Sequence, residues 1–172
     1  MRIMTMALVV LTLSTHNLSG QTPGKVSLAD LRYLPGVWVL DLGSSGLPET
    51  DAEQRTITLG ATWLRVDIQR KSSAQPISLI YNLDGASNIN AYGSGEAVTR
   101  LTRAGDDILL ETVLTVNKQA VTLTERVPLV PGLNLPVEVM LRVEHGYEGV
   151  APSGSKTPPN TSSARKIFRK QP

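Results

Sequence analysis

From residue 37 onward, polar and apolar residues alternate in short runs broken by glycine, proline, asparagine and aspartate. Alternation with a period of two predicts half-buried strands. Such runs cover residues 37–42, 55–59, 62–70, 77–82, 88–92, 96–103, 108–116, 119–127 and 137–143. In the second run Arg55, Ile57 and Leu59 share one face. In the third, Leu64, Val66 and Ile68 are expected inside, opposite Trp63, Arg65, Asp67 and Gln69. Val121, Leu123, Glu125 and Val127 share a face, and so do Val137, Val139, Leu141 and Val143. Gly60, Asp84-Gly85, the 104–107 stretch and Asn117-Lys118 supply turn chemistry. Residues 128–136 contain Pro128, Pro131 and Pro136 and read as a loop or an edge.

No stretch of helical period is long enough for a parallel crossover, so the strands are expected to form an antiparallel meander. Closing the meander into a barrel of about eight to ten strands removes its open edges. The predicted fold class is therefore all-β, with one short helical turn over residues 27–31 capped by Ser27.

The ends of the chain follow different rules. Residues 1–20 run from Arg2 through an apolar stretch at 7–13 to small and polar residues, the order of a secretory signal peptide. The apolar stretch is far shorter than the roughly 20 residues of a membrane span. Cleavage is expected near Gln21, which gives a secreted or periplasmic protein. The barrel domain is then expected over residues 21–151. Residues 152–172 carry Lys156, Arg165, Lys166, Arg169 and Lys170 and no acid, amid Ser, Thr, Pro and Gly. They read as a disordered basic tail suited to weak contact with anionic surfaces. Without that tail and Arg2, acidic residues outnumber basic ones, so the net charge of +2 conceals an asymmetry.

The chain has no cysteine, which excludes disulfides, thiolate metal sites and thiol nucleophiles. Its two histidines, His16 and His145, show no metal-ligand spacing, so no metal and no cofactor is expected. No serine has the G-x-S-x-G context of a nucleophile elbow. Asp106-Asp107 falls at a hairpin tip, where turn formation accounts for it. Basic residues in the strands alternate with acids and lack a stacking platform, which argues against nucleic-acid binding. The aromatic and flexible residues Trp38, Trp63, Tyr81, Tyr92 and Met140 are the candidates to line a cavity for a small apolar molecule.

Gly36-Val37-Trp38, placed on the first strand after a helical turn, resembles the G-x-W signature of lipocalins. Residues 81–85 (YNLDG), 103–109 (RAGDDIL) and 122–126 (TLTER) resemble, in that order, motifs of a group of exported bacterial lipocalin-like proteins. The resemblance covers residues 27–149. It implies a calycin-type barrel in which Trp38 closes one end and a basic residue of the last strand packs over it; Arg142 is the residue that this implies. The T-D-Y motif, the disulfide and the C-terminal helix of other lipocalins are absent.

Three functional readings follow. The first is an exported barrel that binds a small hydrophobic molecule. The second is a non-catalytic envelope interaction or structural module. The third is a hydrolase or isomerase using interior carboxylates, with Glu111 and Glu125 near Arg100 or Arg126. An open apolar interior, a filled one, or a shared carboxylate cavity would distinguish them.

Overall fold

The structure, a computed structural model, describes residues 25–116, 119–143 and 160–172. The expected leader at 1–20, the turn at Asn117-Lys118 and His145 lie outside the described residues. A short helix α1 (Leu28–Leu31) comes first. Ser27 caps it in a reciprocal box, its hydroxyl accepting from the Asp30 N–H while the Asp30 carboxylate accepts from the Ser27 N–H. Strand β1 (Gly36–Leu40) is followed by α2 (Leu42–Ser45), one 3₁₀ turn at Glu49–Asp51, β2 (Glu53–Leu59), β3 (Trp63–Arg70) and β4 (Ile77–Asn82). Then come β5 (Asn88–Tyr92), β6 (Gly95–Ala104), β7 (Asp107–Val116), β8 (Gln119–Pro128), β9 (Asn134–Val143) and β10 (Asn160–Lys170).

These ten strands form one antiparallel sheet in the order β4-β3-β2-β1-β10-β9-β8-β7-β6-β5. The sheet curls into a nearly closed barrel, as the alternation predicts. Leu64, Val66 and Ile68 face inward and are buried, with Leu79, Tyr81, Leu101, Ile108 and Val137.

Two expectations are corrected. The C-terminal residues expected as a disordered tail instead contain β10, which lies between β1 and β9 and buries Phe168 completely. Residues 160–169 pair with β9, Phe168 to Lys170 pair with β1 as well, and Lys166 and Phe168 point into the barrel. The barrel domain therefore extends well past residue 151, and the 137–143 run is not the final strand. The proline-containing loop also ends sooner than expected, because β9 starts at Asn134 and includes Pro136. Pro136 pairs with Ile167 of β10, whereas the register with β8 runs only from Glu138 to Val143. A residue without an N–H is tolerated where one side of the strand has no ladder.

β4 and β5 are the two ends of the sheet, and side chains bridge them. The Ile80 N–H donates to Asn90 Oδ1 at 2.8 Å. The Ile80 carbonyl accepts from Asn90 Nδ2 at 3.2 Å, from Asn88 Nδ2 at 3.3 Å and from the Thr99 hydroxyl. Asn90 and Thr99 are both buried. Their amide and hydroxyl groups complete the hydrogen bonding that a neighbouring backbone supplies elsewhere.

Candidate functional site

One end of the barrel is sealed. Trp38 of β1 is fully buried, and its indole N–H donates to the Leu34 carbonyl at 2.8 Å. Leu31 of α1 and Leu34 close over it. The ammonium of Lys170 sits 5.2 Å from the centre of the indole and donates to the Tyr33 carbonyl. Lys170 comes from β10, the last strand, and occupies the place expected for Arg142. Arg142 instead projects from the exposed outer face of β9, opposite Thr122 and Thr161. Gly36 makes room for this arrangement: it has φ +137°, and a Cβ there would lie 2.8 Å from Lys170 Cε.

A charged cluster crosses the barrel. Arg55 of β2 and Glu125 of β8 both point inward, as the faces of their strands predict. Their side chains form a two-pronged pair, Nη1 to Oε2 at 3.0 Å and Nη2 to Oε1 at 2.6 Å. Arg55 Nε donates to Glu53 Oε1 at 2.6 Å. The other Glu53 oxygen accepts from Lys166 Nζ at 2.8 Å and from Arg70 Nε at 3.2 Å. The Arg55 guanidinium also lies 4.6 Å from the centre of the Phe168 ring.

Burial pushes the Glu53 carboxyl up, but Arg55 and Lys166 override it and hold it at about 2. Burial likewise works against the Arg55 charge, and Glu125 and Glu53 together raise its pKa above the usual arginine value. The Tyr81 phenol is pushed well above its ordinary range by burial and then by the Glu125 charge, against a hydrogen bond of 3.0 Å with the Thr112 hydroxyl.

Among the described residues, the other end of the barrel is covered less completely along β7 to β10. One inward-facing row runs across the sheet through Thr99, Thr112, Leu123, Leu141 and Ser162. Burial falls along it: both threonines are buried, both leucines half-buried and Ser162 exposed. The next row repeats the trend, from buried Ala97 through half-buried Leu114, Val121 and Val143 to exposed Asn160. The cause is a difference in strand length. β1 has 5 residues and ends at Leu40, because Asp41 caps α2 through its carboxylate and Ser44. β10 has 11 residues, and its first half runs on beyond β1. Among the described residues, the wall of β7–β10 thus rises past its opposite side, and its apolar inner positions are half-buried.

The remaining expected residues fall in different places. Tyr81 lies in the sealed interior, and Tyr92 is half-buried and packed against the core at the open end. Trp63 points away from the interior, its indole lying against Gly60, where a Cβ would come within 2.3 Å of the ring. Met140 is on the outer face and 52% exposed, so it lines no cavity. Glu111 and Glu125 do not share a site. Glu111 stands beside Arg100 and Thr124 on the outer face, while Glu125 is inside. Arg126 is outside as well, paired with Asp107. Two clefts of about 480 and 470 Å³ flank α1, the first crossed by the Asp30–Arg103 pair.

Alternation puts Arg55 on one face with Ile57 and Glu125 on one face with Leu123 and Val127 without connecting the two, and Glu53 lies outside the expected strand. The signal was present: an ionised residue within an otherwise apolar face on each of two strands.

No family model matches the chain, and no curated protein matches it. Several solved structures are similar. A secretary abundant heat soluble (SAHS) protein from Ramazzottius varieornatus is 14% identical, with a TM-score of 0.52 over 81% of this chain and 96% of that one. A REP1-NXSQ fatty acid transporter is 12% identical, with a TM-score of 0.47 over 81% and 96%. The fatty-acid-binding protein of Manduca sexta is 15% identical, with a TM-score of 0.43 over 80% and 98%. The first of these likenesses is one of fold: an antiparallel β-barrel.

Proposed function

We propose that the chain is a binding barrel that takes a small apolar molecule against the half-covered inner wall of β7–β10. One observation carries this reading: Leu114, Val121, Leu123, Leu141 and Val143 face the barrel interior yet remain only half-buried. Apolar side chains on an inner face are normally covered, and an uncovered apolar concavity is a binding surface by default. The Glu53–Arg55–Glu125 cluster lies beneath this wall, with Glu125 two residues along β8 from Leu123. Ion pairs buried this deeply add little stability over apolar residues of equal volume. Their presence in an apolar interior fits a site that selects its ligand.

Titration with Nile red, an uncharged fluorophore, tests the proposal. Saturable enhancement at one site per chain is expected. Leu123→Asp and Leu141→Asp should each weaken it at least tenfold while far-ultraviolet circular dichroism is retained. Unchanged binding in both variants would exclude this wall.

The leader pattern of residues 1–20 supports export of the protein, to the periplasm or medium of a bacterial cell. Mass spectrometry of the exported protein should find a mature start near Gln21. A peptide beginning at Met1 in that fraction would count against export.

A further inference from the structure

We propose that the sealed end of the barrel docks on a lipid surface, with Val130 and Leu133 of the β8–β9 loop entering between the headgroups. The proposal concerns the opposite end from the β7–β10 wall. It is independent of the binding reading, and either can fail without the other.

Val130 and Leu133 are 71% and 88% exposed, more than any other large apolar side chain among the described residues. They stand on a stretch, residues 127–137, that contains no charged side chain. Turns that face water are normally built from polar residues. This one is also firmly held. Leu129 and Leu135 are buried on either side of the tip, and the Leu129 N–H donates to the Asp106 carbonyl at 3.0 Å. Pro128, Pro131 and Pro136 restrict the backbone around it. Leu129 and Leu135 turn in while Val130 and Leu133 turn out, so the loop presents two apolar side chains at a fixed tip. A tip that is already ordered loses little freedom on contact.

The surroundings of the loop match a headgroup layer. Leu28 of α1 and Tyr33 are exposed at the same end, and Tyr33 shares with Val130 the cleft beside α1. The Arg32 guanidinium lies 4.7 Å from the centre of the Tyr33 ring and donates to the phenol oxygen at 2.8 Å. A ring with a polar tip and a cation on a long apolar stem both suit the boundary between water and lipid. Lys25, Arg32 and Lys170 are exposed cations here. Of the acids, Asp30 and Asp107 are bound by Arg103 and Arg126, which leaves Asp84 and Asp106. Among the described residues the balance is slightly positive, which suits anionic lipid.

A stable protein partner would need a continuous surface of about 800 Å². The apolar side chains here project as separate points instead: Asp30, Arg32 and Asp106 line the cleft that Tyr33 and Val130 share. A fluid headgroup layer closes around such points, and a rigid partner surface does not.

The chain has no cysteine, so one can be introduced as the single site of a label. Asn134→Cys, exposed beside Leu133, and Met140→Cys, exposed on the outer wall, are each labelled with the polarity-sensitive fluorophore NBD. The full chain is then mixed with vesicles of phosphatidylcholine and phosphatidylglycerol. The label at 134 should shift to the blue and be quenched by brominated lipid, whereas the label at 140 should not respond. Val130→Asp with Leu133→Asp, read through the label at 134, should weaken vesicle binding by about tenfold or more, with circular dichroism retained. An unshifted label at 134, equal responses at the two positions, or vesicle binding that survives the double substitution would overturn the proposal. Self-association of the native chain that Leu133→Asp abolishes would give the loop to a second copy and overturn it as well.

Discussion

The two ends of the barrel use the same strands and the same residue types, and they are finished differently. At the α1 end, Trp38, Leu135 and Phe168 are sealed. At the opposite end, Leu123 and Leu141 face the same interior and stay half-covered. Alternation fixes which way a side chain points, but what lies across the barrel decides whether it is buried. Where β1 and β10 run side by side, the interior is complete. Where β1 stops at Leu40 and β10 continues, an inner face is left over.

The largest expected effects break the sealed end and the cluster between the two ends. Trp38→Ala should cost about 3–5 kcal/mol in urea denaturation, the range for emptying a fully buried tryptophan site. Glu125→Ala leaves the Arg55 charge without its main partner and should cost a similar ~3–5 kcal/mol. The double substitution Arg55→Met with Glu125→Leu should recover most of that loss. Failure to recover would mean that the cluster holds the barrel together.

Acid should act on the same cluster. Glu53 has a folded-state pKa of about 2 against an ordinary 4.5. Its contribution is therefore fully present above pH 4.5 and is lost as the pH falls toward 2. At 1.36 kcal/mol per pKa unit, the depression corresponds to about 3 kcal/mol. Glu53→Gln should flatten the dependence of stability on pH across that window, and an unchanged slope would assign acid sensitivity elsewhere.

Smaller effects sharpen the contrast between the ends. Leu101→Ala, in the fully buried interior, should cost about 2–5 kcal/mol, whereas Leu123→Ala should cost about 1 kcal/mol, because its site is already half-open to solvent. Equal losses would mean that the two ends are equally packed. Met140→Ala on the outer face should stay within about 0.5 kcal/mol and leave Nile red binding unchanged.

Much of the fold is legible in the amino-acid sequence. The strands from 53 to 128 follow from alternation and turn residues, and the burial of Leu64, Val66 and Ile68 follows from their phase. β10 was not readable. Asn160 to Arg165 are exposed and, apart from Ala164, polar, and the strand is held by backbone ladders to β9 and β1 that no local pattern announces. Without β10, the last strand that alternation reveals carries Arg142, whereas the basic residue over Trp38 is Lys170 of β10. The faces that Arg55 shares with Ile57 and Glu125 with Leu123 are legible. Their meeting is not, because it joins residues 70 positions apart across a closed barrel.

At the seam between β4 and β5, Asn90 reaches across to the backbone of Ile80. There the strands are joined by the side chains of Asn90, Asn88 and Thr99 and not by the fixed spacing of a backbone ladder. A lengthening as small as one methylene, Asn90→Gln, changes the measure at that point alone. The closure of this protein thus depends at that line on the reach of three side chains, a length that a substitution can change without rewriting any strand.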